Sequence, residues 1–346
     1  MKALVLHGIN DLRYEEVPIP KPASGEVLVK IRASGVCGSD IPRIFTKGTY
    51  HFPTIPGHEF AGEVAETGKG VNSGWIDKKV AVFPLLPCRK CEPCLIGEYA
   101  QCRDYNYFGS RCNGGFAEYL TVPVWNLVAV PEGLSLKEAA MAEPAAVAIH
   151  ALRQVGLEPG DNVAIFGAGP IGLMLGQWAK AWGADRVMLA DIDGGKIAFA
   201  REQGFSHVFN SSAGDPVAWV NEVTEGRGAD VAVEGAGVSD TLEQCLKCVR
   251  PFGRIVAMGN PAGDMILSQK AYWELLRKQL KIAGTWNSSY VALPKNDWVM
   301  ALRAMETGRI NVKGFITHAV PLEQAGEVLA MMRDRTAFYN KVMFVM

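Results

Sequence analysis

The sequence predicts an α/β protein in two parts, a β-rich domain and a doubly wound parallel sheet. Three observations carry this reading. Residues 1 to about 148 hold short alternating strands broken by Gly and Pro. Residues from about 149 to 286 alternate strand and helix. Within that second stretch, Gly167-Ala168-Gly169-Pro170-Ile171-Gly172 stands between a short apolar run and a helical one. At 346 residues the chain has room for two cores.

In chain order, the first domain is read from strands at Met1–Leu6, Glu26–Ala33, Glu63–Glu66, Lys79–Phe83 and Phe116–Val122. A helix over Leu136–Val155 is expected to bridge to the second domain. There the strands are Asn162–Phe166, Arg186–Ala190, His207–Phe209, Ala229–Glu234, Gly253–Met258 and Lys281–Gly284, with one helix at Asp240–Val249. Cys245 and Cys248 on that helix read as packed thiols. The tail, residues 287–346, holds a helix at Trp298–Thr307 and a strand at Asn340–Val345. It is expected to return to the first domain, so that residues 1–148 and 287–346 form one body and 149–286 the other.

Cys88, Cys91, Cys94 and Cys102 follow the pattern C-x2-C-x2-C-x7-C. Two-residue gaps let a short loop wrap four thiolates around an ion at about 2.3 Å, so a structural zinc is expected there. The alternative is a pair of disulfides. Met1–Val5 reads as the start of a strand, without the basic start, apolar run and cleavage site of an export signal. A reducing, cytoplasmic location is therefore expected, and metal ligation is favoured over crosslinks.

Upstream, Cys37 lies in Ser34-Gly35-Val36-Cys37-Gly38-Ser39-Asp40, and His58 and Glu59 lie in Ile55-Pro56-Gly57-His58-Glu59-Phe60. A catalytic zinc takes about three ligands from distant segments and keeps one position open, and Cys and His suit it. A packed cysteine and a surface histidine would also explain the pair.

Gly167, Gly169 and Gly172 have the strand before and the helix after that a dinucleotide turn requires. Gly167 makes the turn, Gly169 lets backbone approach a pyrophosphate, and Gly172 lets helix and strand pack closely. Pro170 and Ile171 open the helix, whose N-terminus favours phosphate. Asp191 ends the next strand 19 residues beyond Gly172, placed to accept from both ribose hydroxyls of NAD and to repel the 2′-phosphate of NADP. Gly235, Met258, Gly259 and Thr285 end later strands at the carboxyl edge of the sheet, where ligands bind. Lys196 could reach a ribose hydroxyl or be a solvated helix lysine.

The 35 basic and 36 acidic residues give a net charge of −1, which gives no electrostatic case for nucleic acid. No apolar run approaches the ~18 residues of a membrane span. A small-molecule substrate is the partner expected.

Together, Cys37-Gly38-Ser39-Asp40, Gly57-His58-Glu59, the four-cysteine lobe and the nucleotide turn resemble the zinc-dependent medium-chain dehydrogenases over essentially the whole chain. Met141-Ala142-Glu143-Pro144 is similar to the polyol branch of that family, where Glu143 stands in place of a cysteine. The resemblance implies a GroES-like catalytic domain, a Rossmann NAD-binding domain, two zinc ions per chain and a homodimer or homotetramer. It implies a catalytic zinc held by Cys37, His58 and Glu143, with Glu59 a ligand in some states or a carboxylate behind the ligands that tunes the metal and exchanges with water. Ser39 would pass on the alcohol proton, although a turn-capping serine is the plainer alternative. The implied substrate is a sugar alcohol or its phosphate. A phosphate would need cationic partners; Arg43, Arg111 and Lys341 are the candidates, with Tyr50 and His51 nearby, and an ordinary surface charge is the plainer reading of each.

Overall fold

The computed structural model describes residues 1–292 and 295–346. They form two compact units, one of Met1–Glu143, Ser289–Gly308 and Val312–Met346, the other of Pro144–Ser288 and Arg309–Asn311.

The first unit is organised around one long strand, Glu26–Val36, whose alternating Val27, Val29 and Ile31 are fully buried. It pairs antiparallel with Glu59–Thr67, Tyr119–Pro123 and Lys341–Val345 in a seven-stranded sheet. One cluster packs Val27, Val29 and Ile31 with Phe60, Val64, Val80, Val82 and Leu120. A second joins Val36 to Leu6, Phe116, Val342 and Phe344, with the two phenylalanine rings edge-on at 4.9 Å. Each such fully buried apolar side chain contributes about 1.5–3 kcal/mol.

Register decides what meets at one end of this sheet. Gly35 lies opposite Glu59 on one neighbouring strand and Met343 on the other. Cys37 follows the end of the central strand, Glu59 begins one neighbour and Lys341 begins the other. Three segments remote in sequence thus end side by side.

The second unit is a six-stranded parallel sheet: β1 Val163–Phe166, β2 Val187–Asp191, β3 His207–Asn210, β4 Ala229–Glu234, β5 Val249–Ala257 and β6 Lys281–Gly284. Spatial order is β3-β2-β1-β4-β5-β6, the doubly wound arrangement, which reverses direction at β1. Helices Pro170–Ala181, Gly194–Glu202, Pro216–Val223, Ser239–Cys248 and Gln269–Arg277 connect or flank the strands. Local chemistry starts them: Asp193 accepts from the Gly195 and Lys196 N–H groups, and Asp215 caps the helix that opens on Pro216. Cys245 and Cys248 are buried in this unit's core.

The expected helix over Leu136–Val155 is two helices, Leu136–Ala139 and Ala142–Gln154. Ser135 and Glu138 form a capping box on the first. Pro144 has no N–H to donate, so it is tolerated only within a first turn, and the chain restarts its helix two residues before it. Among the described residues, no helix is long and apolar enough to cross a membrane.

Candidate metal centres and nucleotide site

In the cysteine lobe, Arg89 takes a left-handed turn at φ 58°, and Gly97 another at φ 85°. These turns fold the short loop back on itself. The four sulfur atoms of Cys88, Cys91, Cys94 and Cys102 all lie within 4.8 Å of one another. Cys91 Sγ is 3.5 Å from Cys94 Sγ and 3.8 Å from Cys102 Sγ. Thiolates at ~2.3 Å from one tetrahedral zinc stand about 3.8 Å apart, whereas a disulfide needs about 2.05 Å. Backbone N–H groups of Arg103 and Cys94 pull the Cys91 thiol down to about 6. The Cys88 N–H donates to Cys102 Sγ at 3.2 Å. The donor set fits a closed zinc site.

The sheet end described above brings together a second group. Ligand atoms of Cys37, His58 and Glu59 all lie within 4.8 Å of one another, with His58 and Glu59 buried. Gly57 turns the chain into this position at φ 92°, and a Cβ there would stand 2.4 Å from the Phe116 ring. Asp40, fully buried, accepts from the Cys37 N–H at 2.9 Å and from Arg43 Nη1 at 2.7 Å. Its Oδ1 is 3.6 Å from His58 Nδ1, which has no hydrogen-bond partner among the described residues. Burial opposes charging His58, but Asp40 and the Cys37 sulfur outweigh it and hold the imidazole well above its ordinary range.

Glu143 stands outside the set of ligand atoms within 4.8 Å. It is buried, and the Tyr107 hydroxyl donates to its Oε1 at 3.4 Å while the Tyr107 ring lies 5.7 Å from that of His58. Burial pushes the Glu143 carboxyl up to about 7; His58 and Lys341 oppose this shift and Glu59 adds to it. A thiol, an imidazole and two buried carboxyl groups form a donor set that fits zinc. Tyr107 and Gly35 were not singled out from sequence, since only the fold shows what they face.

Ser39 begins the turn Asp40–Pro42 but its hydroxyl makes no cap hydrogen bond. Among the expected substrate contacts, Arg43 is paired with Asp40. Lys341 is 3% exposed on its side chain, paired with Glu59 and donating to the Val36 carbonyl at 3.1 Å, so it is a partner of the cluster rather than a surface group. His51 is engaged through both ring nitrogens, with the Arg111 carbonyl at 3.0 Å and Thr54 Oγ1 at 3.1 Å. Arg111 stacks on the exposed Tyr50, its guanidinium 4.2 Å from the ring centre.

In the second unit, Gly167 lies at φ 116°, and a Cβ on Gly172 would sit 1.8 Å from the Gly167 carbonyl oxygen. Only glycine permits that approach of helix to strand. A Cβ on Gly169 would meet nothing within 4 Å, and no side chain caps the helix it begins, where Pro170 and Ile171 form the first turn. Its free N–H groups fit a pyrophosphate. Asp191 accepts from the Ala168 N–H at 2.9 Å, which fixes the acid beside the glycine turn, and Lys196 Nζ is 3.4 Å from the same carboxylate. Glu234 Oε1 accepts from Ala236 and Gly237 N–H groups, and its carbonyl accepts from Met258 and Gly259. Backbone therefore lies against backbone there, and a Cβ on Gly235 would stand 3.0 Å from the Phe166 carbonyl oxygen. Thr285 Oγ1 is buried without a hydrogen-bond partner among the described residues.

Residues 23–132 match the alcohol dehydrogenase GroES-like domain and residues 170–307 the zinc-binding dehydrogenase domain. The chain is 35% identical over 348 residues to galactitol 1-phosphate 5-dehydrogenase of Escherichia coli (strain K12), covering 100% of both. A crystal structure of galactitol-1-phosphate dehydrogenase from Escherichia coli superposes with a TM-score of 0.93 at 36% identity, covering 100% of both chains. Sorbitol dehydrogenase of Bacillus subtilis (strain 168) is 32% identical over 352 residues, 100% of this chain and 96% of that one. A structure from Sinorhizobium meliloti 1021, bound to NADP, has a TM-score of 0.91 at 30% identity over 100% and 99% of the chains.

Proposed function

The chain belongs to the zinc-type alcohol dehydrogenase family, with a GroES-like domain and a Rossmann domain, and we propose that it oxidises galactitol 1-phosphate to tagatose 6-phosphate with NAD. The observation that carries this reading is the buried Cys37, His58 and Glu59 cluster, with Glu143 beside it. A zinc ion held by Cys37, His58 and the carboxylate of Glu143 or Glu59 would act as a Lewis acid on the substrate hydroxyl, and NAD would accept the hydride.

The chain's own residues do the rest. Asp40 fixes the Cys37 backbone and faces His58, holding two ligands from different segments in one geometry. Lys341 balances the Glu59 charge. Ser39, two residues from Cys37 and free of a cap bond, accepts the alcohol proton and passes it on. The glycine turn binds the pyrophosphate, and Asp191 accepts from the ribose hydroxyls. Cys88, Cys91, Cys94 and Cys102 hold a second, structural zinc.

Four thiols gathered as metal donors, and not as crosslinks, support a reducing compartment, the cytoplasm. β6 is an edge strand with Ile282 exposed, and Tyr272, Trp273, Leu276 and Trp286 are exposed in the same unit. An unpaired apolar edge supports a homo-oligomer, a dimer or tetramer, built by strand pairing between copies; light scattering after gel filtration tests this.

The deciding experiment is NAD reduction by zinc-loaded protein with galactitol 1-phosphate, galactitol, sorbitol, L-iditol and threonine. Preference for the phosphate ester is expected. Preference for sorbitol or L-iditol, or for threonine, would move the reading to those relatives. Tight NAD binding without turnover of any alcohol would leave a nucleotide-binding sensor.

A further inference from the structure

We propose that Arg111, its guanidinium set against the rings of Tyr50 and Tyr105, is the group that binds the substrate's phosphate; this rests on the sugar-alcohol phosphate reading above. Of the three cations that sequence offered to a phosphate, Arg43 is neutralised by Asp40 and Lys341 by Glu59. Arg111 has no carboxylate partner among the described residues; its company is aromatic. Its guanidinium carbon lies 4.2 Å from the Tyr50 ring centre and 4.3 Å from that of Tyr105. The rings stabilise the charge without cancelling it, so the guanidinium keeps its full attraction for an anion.

The donor inventory agrees. A guanidinium has five N–H donors. Arg111 Nη1 reaches the Tyr105 carbonyl at 3.4 Å and Nη2 the Tyr50 hydroxyl at 3.2 Å. Two long, weak bonds leave fork capacity for a tetrahedral dianion. The group is also held still. The Arg111 N–H donates to the Tyr107 carbonyl at 2.9 Å, His51 Nε2 lies 3.0 Å from the Arg111 carbonyl oxygen, and the Tyr50 N–H donates to the Ser110 carbonyl. This turn also carries Tyr107, whose ring faces His58. One hydrogen-bonded segment therefore carries both Tyr107, beside His58, and the uncompensated cation of Arg111. A neutral hexitol offers nothing to such a charge, whereas a phosphate monoester does.

The test compares zinc-loaded wild type with Arg111→Met and Arg111→Lys, measuring kcat/KM for galactitol 1-phosphate and for galactitol. Loss of a charge-assisted fork should lower the ratio of the two about thirtyfold in Arg111→Met, through KM for the ester, with partial recovery in Arg111→Lys. Inorganic phosphate should inhibit wild type competitively, and less so Arg111→Met. An unchanged ratio would overturn the proposal, as would a wild-type preference for a sugar acid that Arg111→Met abolishes. Should no polyol be turned over, the functional reading fails separately. Phosphorus NMR of inorganic phosphate titrated into the zinc-loaded proteins then decides: binding lost in Arg111→Met and weakened in Arg111→Lys sustains the assignment, and equal or absent binding in all three ends it. Circular dichroism and zinc content establish that each variant is folded.

Discussion

Lys341 and Glu59 form a buried ion pair beside Cys37 and His58, joining the last strand of the chain to one that begins at residue 59. The same ammonium donates to the Val36 carbonyl, 305 residues away in sequence. The metal-side residues are therefore tied to a lysine that any local reading of the tail would leave on the surface.

Replacing Lys341 with Met leaves the Glu59 carboxylate buried without its counter-charge. Breaking such a pair costs about 3–5 kcal/mol. We expect that loss in zinc-stripped protein and a smaller one in zinc-loaded protein, where the ion supplies positive charge. Denaturant unfolding with and without zinc measures both, and equal losses would contradict this.

Gly35 faces the same pair. A Cβ there would stand 2.3 Å from Glu59 Oε2 and 2.9 Å from Lys341 Cε. Gly35→Ala must displace one of them, and we expect zinc content to fall from two ions per chain toward one while the cysteine lobe keeps its own. Atomic emission spectroscopy on dialysed protein reads this, and two ions retained would show that the pair moves without consequence.

These two residues mark what the sequence leaves illegible. The cysteine spacing and the glycine turn are local patterns, readable because their geometry is set by a few consecutive residues. The doubly wound sheet is likewise legible, because strand–helix alternation permits few topologies. Lys341, Gly35 and Tyr107 matter through strand register and long-range pairing, which no window of sequence contains. The break before Pro144 was readable in principle, since an imino residue belongs in a helix's first turn. The pairing of Lys341 with Glu59 is not legible in sequence, because the two meet only through the order of the strands.

Glu143 gives a pH signature. Burial raises its folded value to about 7, above an ordinary carboxyl at 4.5, so the folded chain binds the proton more tightly than the unfolded one. Stability of zinc-stripped wild type therefore falls as pH rises through that window. Glu143→Gln has no such proton to lose, and should be more stable than wild type at pH 8 by about 3 kcal/mol at most, with the advantage vanishing near pH 4.5. Urea unfolding at the two pH values checks it, and a variant less stable at both would contradict it.

Asp191 should select the cofactor. If Asp191 accepts from the ribose hydroxyls as proposed, Asp191→Ala would remove both that acceptor and the repulsion of a 2′-phosphate. NAD affinity is expected to fall about tenfold or more, with NADP affinity little changed. Calorimetric titration with each nucleotide decides, and equal loss for both would count against the assignment.

The most direct measurement is anomalous diffraction at the zinc edge from crystals of zinc-loaded protein. Two peaks per chain are expected, one among Cys88, Cys91, Cys94 and Cys102 and one bounded by Cys37, His58 and a carboxylate of Glu59 or Glu143. A peak in the cysteine lobe alone, or a second ion bound elsewhere, would contradict it.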